Sequence, residues 1–171
     1  LVASPWGCPR YLAELAALRN RFRWVEYSLS TSLMIVLIAG ITGITDIAAL
    51  IAIFGVNASM ILFGWLMETT SRPGPSVNWT PFIFGSIAGA VPWIAVAIYL
   101  AGAGSGMPGF VYGIFASIFV LFNCFAINQW LQYRAQGAWS DYLHGERVYI
   151  VLSLVAKSLL AWQIYANVLV G

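Results

Sequence analysis

Apolar residues run along the chain in long unbroken blocks, and polar residues gather in short clusters between them. Five blocks stand out, at about Trp24–Ile41, Asp46–Met67, Pro81–Leu100, Phe110–Trp130 and Val148–Val170. As a helix, each is long enough to cross a hydrocarbon core of about 30 Å. A transmembrane barrel would instead need alternating segments of about 10 residues, and runs such as SLMIVLIAGI do not alternate. Breakers punctuate the blocks: TGITD at 42–46, SRPGPSVN at 71–78, GAGSGMPG at 102–109 and the polar QYRAQGAWSDYLHGER at 132–147. Gly85, Gly89, Pro92 and Gly113 fall inside apolar blocks, where membrane helices tolerate them because neighbours re-satisfy freed backbone groups. The pattern predicts an all-α membrane protein, a single transmembrane helix bundle behind a leader at 1–23, with Tyr11–Leu18 as a short helix on the membrane surface.

Composition agrees with the pattern. Hydrophobic residues make up 61% of the 171 positions and charged residues only 8%, against roughly a quarter charged in a soluble domain. The expected partner is the lipid bilayer, with no nucleic acid. Arg10, Arg19, Arg21 and Arg23 precede the first block, Arg72 follows the second, and Arg134 and Arg147 lie between the fourth and fifth. By parity all seven arginines share one side, which the positive-inside rule makes cytoplasmic and which leaves the C-terminus outside. The leader lacks the apolar core of a signal peptide, and the chain begins Leu-Val-Ala, as a fragment or a processed chain would. Cys8 and Cys124 are too far apart in kind, one in the leader and one in a block, to suggest a disulfide. No Cys/His cluster has metal spacing, and His144 reads as a solvated loop residue.

Lys157, the only lysine, sits at the middle of the last block. Either interface is about 15 Å away at 1.5 Å per residue, beyond the reach of its four-carbon stem. An ammonium at the bilayer centre costs about 2.5–3.5 kcal/mol on insertion scales, so it points to function by default. A structural ion pair is one reading. A desolvated amine used chemically, to form a Schiff base with an aldehyde, is the other. A cation there needs an anion. Glu14, Asp46, Asp141 and Glu146 fall in the leader or connections, and Glu68 reads as an interfacial carboxylate at the end of the second block. Glu26 enters the first block below Trp24, and is expected either to face inward or to pair at the interface with Arg23 three residues earlier.

The segments RWVEYSLSTSLMIVLIA, IFGVNASMILFGWLME and GERVYIVLSLVAKSLLAWQIYAN closely resemble the third, fourth and seventh helices of heliorhodopsins, retinal-binding seven-helix membrane proteins. The resemblance runs from about Arg19 to Val170. It implies that five spans of an expected seven are present, with the N-terminus inside. It also implies all-trans retinal bound covalently to Lys157 as a protonated Schiff base, with Glu26 as counterion. Ser153 would hydrogen-bond near the counterion, and Tyr27, Thr31, Asn57, Met60, Phe122, Gln129 and Trp162 would line the retinal pocket. A homodimer and an unknown cytoplasmic signalling partner are implied in the same way.

Rhodopsin proton pumps share the R-x-x-carboxylate-aromatic pattern of Arg23, Glu26 and Tyr27. They carry further carboxylates where this chain has Leu37 and Ser153. Moving a proton across a membrane needs titratable groups on both sides of the linkage. The expectation is therefore a non-pumping light sensor, not an enzyme, that signals by conformational change. An ion transporter, or a non-retinal protein using Lys157 and Glu26 structurally, remains the alternative.

Overall fold

A computed structural model describes residues 7–103 and 106–169 of the chain. A short surface helix α1 (Gly7–Ala16) leads into α2 (Arg21–Ile41), α3 (Ile47–Thr70), α4 (Thr80–Ala103), α5 (Gly109–Arg134) and α6 (Tyr142–Ile164). A 3-10 turn at Gly137–Ser140 precedes α6, and a π-type turn at Tyr165–Leu169 follows it. The described residues contain no strand. Among the described residues five helices are long and apolar enough to span a bilayer, with mean hydropathy from 1.5 to 2.2. Residues 1–6, the side chain of Cys8 and the end of the fifth predicted span at Val170 lie outside the described residues.

Local chemistry sets the helix ends. The Asn20 side chain accepts from the Arg23 amide at 3.1 Å, and Asp46 accepts from the Ala49 amide at 2.7 Å. Asp141 accepts from the Leu143 amide at 3.0 Å. Each satisfies an amide that the first helical turn leaves without a partner. Ala135 closes α5 in a left-handed conformation at φ 49°. These caps correct the connection expected at 132–147: its first three residues finish α5, and its last six, from Tyr142 to Arg147, begin α6. Glu146 therefore sits on a helix, not in a loop.

Along the chain, α3 packs against both α2 and α4, and α5 packs against α6. The apolar core gathers at one end of the bundle, where Ile35 and Ile38 of α2 meet Trp93 and Val96 of α4, Ile114 and Ile118 of α5, and Ala156 and Leu160 of α6. Buried polar residues gather at the other end, among them Asn20, Arg23, Glu68, Asn128, Gln132 and Glu146. The outer faces are as apolar as the core: Leu29, Leu33 and Leu37 on α2, Ile94 and Ile98 on α4, and Ile150, Val151 and Leu154 on α6 are exposed. Such faces suit lipid, which costs an apolar side chain nothing.

At the polar end Trp24 lies directly on α3. A Cβ added at Gly64 would overlap Trp24 Cζ3 and stand 2.7 Å from Cη2, so only glycine admits the indole there. Gly55, on the same helix, faces open space. Gly64→Ala should cost about 1–3 kcal/mol through overpacking and lower the thermal unfolding temperature in detergent, whereas Gly55→Ala should leave it unchanged or raised.

Candidate functional site

Lys157 lies on the inward-turning side of α6, next to the buried Ala156 and one turn before Leu160. Its Nζ donates to Glu26 Oε1 of α2 at 2.5 Å. Two residues 131 positions apart thus form one ion pair across the bundle. The side chains are 35% and 49% exposed respectively, so the pair is open on one flank and not sealed within these helices. Nζ also stands 5.5 Å from the centre of the Tyr27 ring, a distance at which the ring face attracts a cation. The Tyr27 hydroxyl donates to the Tyr149 carbonyl at 2.8 Å, and Ser153 stands beside that hydroxyl, one turn before Lys157.

On the other side of Tyr27 a cavity of about 100 Å³ opens between α2, α3, α4, α5 and α6. Of the residues expected to form a pocket, Tyr27, Thr31, Met60, Phe122 and Gln129 line it. Trp24, Gly64, Pro81, Phe82, Gly85, Phe125 and Tyr149 also line it, and sequence reasoning missed them. The aromatic spacing Phe115, Phe119, Phe122 was a usable signal: all three pack edge-on against Trp93 at 5.2–5.6 Å, beneath the cavity.

Two expected pocket residues lie elsewhere. Asn57 is fully buried behind Thr31, donating to Thr31 Oγ1 and Ser32 Oγ at 3.1 Å each. Trp162 is 68% exposed, stands edge-on to the Tyr165 ring and does not line this cavity. Five residues beyond Lys157, it is turned about 140° around the helix from the lysine.

The polar end holds a second charged assembly that corrects three expectations. Glu68 is buried, not interfacial: it accepts from the Asn20 amide at 3.0 Å, Trp24 Nε1 at 2.9 Å, and Arg23 Nη2 and the Tyr142 hydroxyl at 3.2 Å each. Glu146 is likewise buried, pairing with Arg23 Nη1 and accepting from Asn20 Nδ2 at 2.7 Å. Arg23 therefore does not pair with Glu26. Its guanidinium lies between the rings of Trp24 and Tyr149, 4.3 and 4.1 Å from their centres.

The donor set fits an aldehyde chromophore. An amine that can bond to a carbonyl carbon and a carboxylate to balance the resulting cation are paired, and an aromatic-lined cavity lies across Tyr27 from them. Among the described residues no group of His, Cys, Asp or Glu could hold a metal ion, and Cys124 is free and half-buried.

Compared with known proteins, the chain matches a family model described as Heliorhodopsin over residues 1–169. No curated protein matches it.

Removing one partner of a buried ion pair leaves its counterpart uncompensated, at about 3–5 kcal/mol. Arg23→Gln should therefore sharply lower the unfolding temperature, and adding Glu146→Gln should return part of the loss. Equal stability of the wild type and Arg23→Gln would show that the assembly carries no such load.

Proposed function

The chain belongs to the heliorhodopsin family, a family of retinal-binding, rhodopsin-type integral membrane proteins, and from that premise we propose that it is a light sensor that does not pump ions. The observation that carries the reading is the 2.5 Å pair of Lys157 and Glu26 beside an aromatic cavity. Lys157 would hold all-trans retinal through Nζ, and the side chains of Tyr27, Thr31, Met60, Phe122 and Gln129 would hold its apolar body. When bound, retinal supplies absorption of visible light and a double bond that isomerises.

The chain's own residues do the rest. Glu26 accepts from Lys157 Nζ and balances its positive charge. The Tyr27 ring lies against Nζ, and its hydroxyl is anchored to the Tyr149 carbonyl. Aromatic side chains keep water from the cavity. Lys157 and Glu26 lie on different helices, so a change in their attraction alters the force between α2 and α6. The same two helices are joined at the polar end by Arg23 and Glu146, which couples that force to the arginine-rich surface. We place this surface in the cytoplasm, facing a signalling partner, and include a homodimer in the same proposal.

Pumping is disfavoured because α2 carries no carboxylate beyond Glu26 and α6 carries none beyond Glu146 within its described length. The heliorhodopsin family is not an enzyme family in the usual sense.

Adding all-trans retinal to membranes should generate a visible pigment in the wild type and none in Lys157→Ala; colour retained in that variant refutes the attachment. Glu26→Gln should move the absorption maximum, to longer wavelength while Nζ keeps its proton or to the near ultraviolet if it loses it. An unchanged spectrum would remove Glu26 from the role. Illuminated vesicles should show no light-driven pH change or current, and a sustained one would establish transport instead.

A further inference from the structure

Arg23 lies three residues before Glu26 on α2, the spacing at which helix side chains of opposite charge ordinarily pair. In the structure it does not turn that way. Its Nη1 and Nη2 are taken by Glu146 and Glu68, and its plane is packed between Trp24 and Tyr149. Its Nε has no partner at all, so a donor remains available and Glu26 still does not use it. Two carboxylates outweigh one guanidinium, which removes any electrostatic pull on Arg23 toward a third acid.

We propose that Glu68 and Glu146 are positioning residues for the chromophore site: by holding Arg23 from α3 and α6, they keep the guanidinium off Glu26 and reserve that carboxylate for Lys157. This deepens the retinal-binding reading, in which Glu26 matters as the partner of the Lys157 amine. The groups around the pair are few. Tyr27 faces it from α2, and Tyr149 and Ser153 of α6 adjoin the Tyr27 hydroxyl. Glu14, Arg19 and Arg21 border the groove onto which Glu26 opens, with Arg21 itself bound to Glu14. Arg23, three residues before Glu26 on the same helix, becomes a competitor once its own carboxylates are removed.

The competition can be read in the retinal-free protein, so the result is independent of whether a pigment forms. A lipophilic carbodiimide, dicyclohexylcarbodiimide, joins a carboxylate to an amine only when the two touch, and the single lysine makes the product unambiguous by peptide mass spectrometry. The wild type should give a Glu26–Lys157 crosslink. Glu146→Gln should lower its yield by about twofold, the scale of a competing helix ion pair, and Glu68→Gln should act in the same direction. Arg23→Gln combined with Glu146→Gln should restore the wild-type yield, since the competitor is gone, and Glu146→Asp should retain it. A yield unchanged in both single variants overturns the proposal. So does a yield that stays low in the double variant, because the loss would then come from distortion and not from the freed arginine. Should Glu146→Gln not fold, Glu68→Gln and its combination with Arg23→Gln decide the matter by the same two outcomes.

Discussion

An ammonium in the middle of a membrane helix must meet an anion or be neutralised, and the arrangement of this bundle follows from that requirement. Left alone at the bilayer centre, the lysine would cost about 2.5–3.5 kcal/mol. The chain answers by bringing α6 near enough to α2 for the Lys157 side chain to reach that of Glu26, 131 residues away. The pair then dictates what its neighbours can be. Tyr27 lies against the amine and forms the partition to the cavity. Arg23, a stronger and permanently charged rival one turn away, is committed to other carboxylates.

The two ends of the bundle divide the remaining labour. At one end Ile35, Ile38, Val96, Ile114 and Ile118 interlock without a polar atom, a packing that resists local change. At the other, Asn20, Arg23, Glu68, Tyr142 and Glu146 form a hydrogen-bonded assembly across three helices. These groups are held by partners from other segments of the chain, so the assembly ties α2, α3 and α6 together at this end. The cavity lies between the rigid end and the polar end, in contact with Trp24 and Tyr149, whose rings also enclose Arg23.

Much of this was legible in the chain itself. The five spans are visible because lipid demands continuous apolar length, and Lys157 and Glu26 are visible because a charge in such a run is expensive. The helix boundaries were less so. The segment DYLHGER is polar enough to read as a loop, yet Asp141 is a helix cap, and recognising it would have put Glu146 on α6 facing inward. Glu68 was misread because one turn from a helix end an interfacial acid and a buried one have the same local sequence. Only the partners Asn20, Trp24 and Tyr142, brought from other helices, distinguish them. Trp162 was assigned to the pocket by resemblance, although its offset of five from Lys157 already turned it to the outer face. Residues such as Phe82 and Gly85 could not be found without knowing how α4 meets α5.

The central claim is a covalent one and is tested most directly at the atom concerned. Membranes incubated with all-trans retinal, reduced with sodium borohydride and digested should yield a single α6 peptide carrying a retinyl mass on Lys157. A peptide recovered only in its unmodified form, from a preparation in which Glu26 and Lys157 are intact and the protein is folded, would contradict the account.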